Sequence, residues 1–132
     1  MLISIIIPVY NEKNTIIKLL QKVHASPVWQ FHEREIIVVD DYSNDGTREI
    51  LQSNDHLYNK LFLHPKNLGK GESLKNGFSL FKGDLLIIQD ADLEYDPNEY
   101  IKLIQPIEEG RADVVYGSRF IGSDSHRVVY FW

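Results

Sequence analysis

The chain contains no cysteine. That excludes a disulfide framework and thiolate chemistry, and it fits a reducing cytoplasm. Excess positive charge is missing too: 14 Lys and Arg stand against 19 Asp and Glu, for a net charge of −5. Such a balance argues against nucleic acid as a partner. It also means that an anionic substrate would need a metal or locally placed Arg and Lys. No stretch approaches the roughly 18 apolar residues of a membrane span. The opening "MLISIIIPVY" lacks a basic leader and a small-residue cleavage site, and Pro8 ends its apolar run, so it does not read as a secretory signal. The sequence reads as a soluble piece. Internal repeats, low-complexity segments and linkers are absent as well.

What is present suits one domain or part of one, at 132 residues with 43% hydrophobic and 25% charged content. Strand-like and helix-like runs alternate. "LISIIIP" (2–8) is an apolar run fit for a buried parallel strand. In the following "NTIIKLLQKV", Ile16, Leu19, Leu20 and Val23 form one helical face. "REIIVVD" is a second strand, "TREILQ" a short helix and "KLFLH" (60–64) a weaker third strand. "GKGESLKNGFSLF" predicts a helix with Leu74, Phe78 and Phe81 on one face. "DLLIIQD" is a fourth strand. "PNEYIKLIQPI" opens on Pro97 and aligns Tyr100, Leu103, Ile104 and Ile107. "ADVVYGS" is a fifth strand. The alternation predicts an α/β fold, a mostly parallel sheet with helices on both faces.

In such sheets ligands bind outside the carboxyl ends of the strands. Each strand here ends in a polar cluster: "PVYNE", "DDYSNDG", "HPKNLGKG", "QDADLEYDP" and "GSRF". One such cluster is an ordinary capped turn; five on one edge point to a site. From Asp41 the second cluster reads D-x-S-x-D-G, close to the start of an EF-hand calcium loop. The twelfth position, however, is Gln52 instead of Glu, and a β-branched strand precedes the loop instead of a helix. Calcium is set aside on those two mismatches.

The sharpest cluster is "DAD". If the chain stays extended, Asp90 and Asp92 face the same side, and two carboxylates that close need a cation between them. Magnesium or manganese fits, with Glu94 as a third ligand directly or through water. The bland alternative is one capping and one solvated Asp. In "NLGKG", Gly69 and Gly71 flank Lys70 before a helix, which suits an anion or a plain helix entry alike. Arg119 and Arg127 are phosphate candidates, with a surface ion pair as the alternative. His24, His32, His56 and His64 share no metal-ligand spacing and receive no role.

Together "PVYNE", "IIVVDDYSNDGT", "NLGKGESLKNGF", "GDLLIIQDADLEYDP" and "DVVYGSRF" resemble, in order and over nearly the whole chain, the family-2 glycosyltransferases of the GT-A fold. "DADLEYDP" with "DVVYGSRF" is most similar to the dolichol- or polyprenyl-phosphate sugar transferases. The resemblance implies a Rossmann-like nucleotide-diphospho-sugar transferase sandwich and an inverting transfer assisted by Mn or Mg. The donor is then a nucleotide-diphosphate sugar, and the acceptor a lipid phosphate at the cytoplasmic face of a membrane. Pro8, Tyr10 and Glu12 then line the nucleotide pocket. Asp41 contacts the base or ribose, Asp40 supports its turn, and Ser43 or Asp45 caps the next helix. Lys70 lies near the nucleotide. Asp90, Ala91 and Asp92 form the D-x-D signature that holds the diphosphate through the metal, and Arg119 and Arg127 lie near the diphosphate or acceptor phosphate. Polyprenyl-phosphate transferases often carry Gln where this chain has Glu94, a departure that keeps an oxygen but adds charge.

The apolar end, Val128 to Trp132, reads as a cut: residues 1–132 are expected to be the donor-binding part of one GT-A domain without its acceptor-side half. That tail is expected to fold back on the sheet or bury itself against another copy, making a homo-oligomer. Two rival readings stand beside the transferase. One is a nucleotide-binding module without catalysis. The other is a receiver-like signalling domain, which would need an acidic pair after its first strand and a Lys after its fifth.

Overall fold

The computed structural model describes residues 1–93, 96–108, 115–116 and 127–131. Six strands form one sheet: β1 (Leu2–Val9), β2 (Glu33–Asp40), β3 (Lys60–Leu63), β4 (Leu85–Gln89), β5 (Val115–Tyr116) and β6 (Arg127–Phe131). Their order is β3-β2-β1-β4-β6-β5, and every pair is parallel. The helices are α1 (Ile16–His24), α2 (Thr47–Ser53), α3 (Lys70–Leu80) and α4 (Tyr100–Glu108).

Buried parallel strands are apolar on both sides, and β1 follows that rule. Its Ile3, Ile5 and Ile7 join one core cluster with Ile36, Val38, Leu85 and Ile87, while Ile6 joins a second with Ile37, Val39, Leu86 and Ile88. The first cluster is covered by α1 and α4: Ile16, Leu19, Leu20 and Val23 are wholly buried, as are Tyr100, Ile104 and Ile107 to within 1%. These are the faces the helical spacing predicts, with Leu103 only partly buried.

Helix α3 keeps Leu74 and Phe81 of its expected face against the second cluster but not Phe78. Ser73, Leu74 and Gly77 are buried, whereas Phe78 is 43% exposed. The reason is closeness of approach. A Cβ on Gly77 would lie 2.7 Å from Ile6 Cδ1, so the helix rests on the sheet through its smallest residues and turns Phe78 outward.

The last two strands complete the far side of the sheet. Val115–Tyr116 forms a strand, but at the edge, and the apolar run from Arg127 lies between it and β4. Residues 128–131 of that expected tail therefore fold back on the sheet as a strand. Among the described residues no helix is long and apolar enough to cross a membrane.

At the amino ends of the strands a buried polar knot fixes the α3–β4 connection. Ser4 Oγ donates to Glu35 Oε1 at 2.7 Å, Lys82 N donates to the same oxygen at 2.8 Å, and Gly83 N donates to Ser4 Oγ at 2.9 Å. Lys60 Nζ lies 3.2 Å from Glu35 Oε2 and donates to Leu80 O at 2.9 Å. Burial alone would raise the Glu35 carboxyl, but the Lys82 amide, the Ser4 hydroxyl and the Lys60 ammonium more than offset it and hold it below the usual value of 4.5. A depressed carboxyl stabilises the fold above the unfolded pKa and loses that contribution as pH falls through the folded one. Urea midpoints of the wild type and Glu35→Gln should therefore differ most above pH 4.5 and converge in more acid solution. A gap that stays constant down to about pH 3 would rule the carboxylate's charge out as the cause.

Candidate active site

The chain runs outward from β1 through β2 to β3, then returns to the other side of β1 with β4. The crevice of such a sheet opens at that reversal, above the carboxyl ends of β1 and β4. Segments after β1, β2, β3 and β4 build its walls.

The loop after β2 is zipped to the loop after β1. Asn11 N donates to Ser43 Oγ at 2.9 Å, Glu12 N to Thr47 Oγ1 at 3.0 Å, and Asn44 N to Asn11 Oδ1 at 2.8 Å. Beneath them Asp40 is fully buried, accepts from Ser43 N at 3.0 Å and Ser43 Oγ at 2.6 Å, and pairs with Arg48 Nε at 3.3 Å. Asp40 thus supports the turn and does not line the crevice. The capping position of α2 is Gly46 and has no side-chain cap bond; neither Ser43 nor Asp45 holds it, though Asp45 accepts from Thr47 N at 3.0 Å in the first turn. Asn11, Tyr42 and Leu93, one in each of three strand-end loops, have φ of 52°, 64° and 68°. Left-handed Tyr and Leu cost about 1 kcal/mol or more each, which the surrounding loop bonds must outweigh.

Asp41 anchors the third-strand loop. Its Oδ1 accepts from Leu68 N at 2.7 Å and from His64 Nδ1 at 2.9 Å, and its Oδ2 accepts from Gly69 N at 2.9 Å. His64 is wholly buried, and its Nε2 faces the Asn76 amide nitrogen. A carboxylate cannot donate, so the ring proton sits on Nδ1 and Nε2 accepts from Asn76. Burial raises the Asp41 carboxyl, but the His64 ring and the Leu68 and Gly69 amides more than offset it and hold it below its ordinary range. His64 is the site residue that ligand spacing along the chain does not register. The available signal is its place directly after β3, on the same edge as every other cluster.

The same bonds dispose of calcium by a second route. The three side chains that would open the loop already serve Leu68, Gly69 and His64 (Asp41), Asn11 and Asp40 (Ser43), and Thr47 and Lys13 (Asp45).

Beyond β4 the chain does not stay extended, contrary to the alternation argument for Asp90 and Asp92. Residues 91–92 turn, and the two carboxylates reach one crevice through that turn. Gln89 holds it: its Nε2 donates to Asp90 O at 3.1 Å while its Oε1 accepts from the buried Tyr100 hydroxyl at 2.6 Å. Thr15 Oγ1 donates to Ala91 O at 2.9 Å from the other wall. Lys70, the first residue of α3, reaches across to Asp90 Oδ1 at 2.6 Å.

The crevice encloses about 230 Å³. Pro8, Tyr10, Glu12, Asp41, Lys70, Asp90, Ala91 and Asp92 line it, joined by Val9 and Ser73. Glu94 and Arg119 lie outside the described residues. The backbone of Arg127 pairs with Leu85, at the amino end of β4, while that of Phe131 pairs with Gln89 beside the site. Among the described residues no three acidic or His side chains cluster as a ready metal cage. The oxygen donors of Asp90 and Asp92 still suit a hard cation that takes one or two carboxylates and leaves its other positions to water and phosphate.

The profile of glycosyl transferase family 2 matches residues 4–129. The chain belongs to that family. It is 36% identical over 128 residues to an undecaprenyl-phosphate 4-deoxy-4-formamido-L-arabinose transferase of Photorhabdus laumondii, covering 93% of this chain and 38% of that one. It is 35% identical over 122 residues to a dolichol-phosphate mannosyltransferase of Pyrococcus furiosus, covering 92% and 34%. A mannosyltransferase from Pyrobaculum calidifontis, solved with GDP-Man and Mn2+, superposes with a TM-score of 0.60 at 25% identity, covering 75% of this chain and 30% of that one. The fold is the GT-A glycosyltransferase fold, and the receiver-like alternative falls with the family match. The chain spans a little over a third of the length of the curated relatives it matches.

Proposed function

We propose that this chain forms the donor-binding part of an inverting glycosyltransferase that moves a sugar from a nucleotide diphosphate to a polyprenyl or dolichyl phosphate. The observation that carries the reading is the convergence of Asp41, Lys70, Asp90 and Asp92 on one crevice at the reversal of the sheet. The family relatives named for lipid-phosphate acceptors support the second half.

In this reading Pro8, Tyr10 and Glu12 form the nucleoside wall opposite Asp41. Asp90 and Asp92 hold a divalent cation, Mn or Mg, which as a Lewis acid stabilises the charge that grows on the departing diphosphate. Lys70 and the first amides of α3 face the phosphates. An acceptor phosphate is already an anion, so direct attack on the sugar needs little help from a general base and inverts the anomeric centre. The whole protein is then expected to work at the cytoplasmic face of a membrane, where such an acceptor resides.

A thermal-shift panel of UDP, GDP and the other nucleoside diphosphates, each with and without Mn2+, tests the donor half. At 100 times the dissociation constant a ligand should add about 2.7 kcal/mol of stability, a shift readily seen in melting curves. No shift with any nucleotide in the presence of Mn2+ would discard the reading. Radiolabelled sugar transfer to polyprenyl phosphate, by a protein carrying this chain, tests the acceptor half. Tight donor binding without transfer would favour the non-catalytic module.

A further inference from the structure

Four carboxylates line the crevice, Glu12, Asp41, Asp90 and Asp92, against one ammonium among its described lining residues, Lys70. That ammonium lies 2.6 Å from Asp90 Oδ1, in a pair whose side chains are 45% and 19% exposed. The contact joins two separate walls, the first turn of α3 and the turn after β4. Gly69, with φ of +92°, delivers Lys70 there, and its own amide is tied to Asp41.

Lys70 therefore stands where a cation bound to Asp90 would need room. A hard divalent ion sits about 2.0–2.1 Å from a carboxylate oxygen, and an ammonium at hydrogen-bond distance from the same oxygen would face it as a like charge. For the ion to enter, Lys70 must let go. A lysine can do so cheaply, because its flexible stem carries a point charge with three donors that need no fixed partner geometry. A diphosphate arriving at the start of α3 gives that ammonium anionic oxygens to move to.

We propose that Lys70 is the resident counter-ion of Asp90, and that its transfer from carboxylate to phosphate makes the divalent cation and the nucleoside diphosphate bind as a coupled pair. The inference rests on the donor-binding reading above and adds to it a sign. A lysine that only binds phosphate helps the nucleotide and leaves the bare cation alone. A lysine that also guards Asp90 opposes the bare cation. Because coupling between two ligands is reciprocal, removing the guard lowers the factor by which each ligand strengthens the other.

The measurement is Mn2+ affinity by electron paramagnetic resonance titration, first alone and then with saturating UDP or GDP. Lys70→Met should bind Mn2+ alone about fivefold more tightly than the wild type, the size expected when a partly exposed ion pair no longer competes. The same variant should bind UDP or GDP in Mn2+ about tenfold more weakly, as befits loss of one charge-assisted phosphate contact. Lys70→Arg, which keeps the pair, should bind Mn2+ alone no more tightly than the wild type, and Lys75→Met, which removes an exposed charge from α3 away from the crevice, should match it. Unchanged or weaker binding of Mn2+ alone by Lys70→Met would overturn the inference while leaving the donor reading intact. Failure of every variant and the wild type to bind Mn2+, even with UDP or GDP present, would overturn the donor reading and this inference with it.

Discussion

Nucleoside diphosphate binding should fall by about 100-fold when divalent cations are chelated, and by a similar factor in Asp92→Ala. The expectation comes from charge. The crevice carries four carboxylates and one ammonium among its described lining residues, and the ammonium is already paired with Asp90. A diphosphate entering without a cation meets like charges. Each such pair about 5 Å apart costs roughly 1 kcal/mol in a water-like medium and about 3 kcal/mol at an effective dielectric near 20. At the lower dielectric, two or three contacts of that kind exceed the roughly 2.7 kcal/mol that corresponds to 100-fold. Asp92 is exposed, so the substitution should leave the melting temperature of the free protein nearly unchanged. Calorimetric titration of UDP and GDP with Mn2+ and with EDTA reads the effect. Equal affinity in both buffers would remove Asp90 and Asp92 from the proposed cation site.

The largest expected loss of stability is at Gly83, where alanine should cost about 3 kcal/mol or more. A Cβ there would lie 2.5 Å from Ser4 Oγ, 2.8 Å from Ser4 N and 2.9 Å from Leu2 O. Two of these atoms are backbone of the central strand β1, and the third is a hydroxyl held at 2.7 Å by Glu35. None can retreat as the end of a flexible side chain could. The segment must instead lift, which strains Gly83 N to Ser4 Oγ at 2.9 Å and Asp84 N to Leu2 O at 2.8 Å. For a domain of this size the melting temperature should drop by about 10–15 °C. Gly71→Ala is the contrast: nothing lies within 4 Å of its Cβ, and alanine in α3 should gain up to about 1 kcal/mol. Similar melting temperatures for the two variants would show that the sheet edge yields more than its packing implies.

Much of this was legible along the chain. β1, β2 and β4 are continuous apolar runs because they are buried on both faces, and α1 and α4 show their buried stripes at helical spacing. Polar clusters after successive strands placed the crevice at one edge, since parallel strands put all their carboxyl ends there. The limits of that reading are equally physical. Periodicity marks apolar side chains, so it chose Phe78 for the buried face of α3, while the contact is made by Gly77, whose value is the side chain it lacks.

The sequence by itself determined five of the six strands, the two long apolar helix faces and the family, because those follow from local spacing and from the order of short motifs. Only the tertiary structure decided that β6 lies between β4 and β5, and that Asp90 and Asp92 meet through a turn instead of an extended strand. It alone showed that Asp41 is tied to His64, Leu68 and Gly69, and that Lys70 rests on Asp90. These contacts join residues 20 to 28 positions apart on different walls of one crevice. Hydrogen bonds and ion pairs of that kind are set by where the sheet brings the loops, and no repeat along the chain encodes the distance between them.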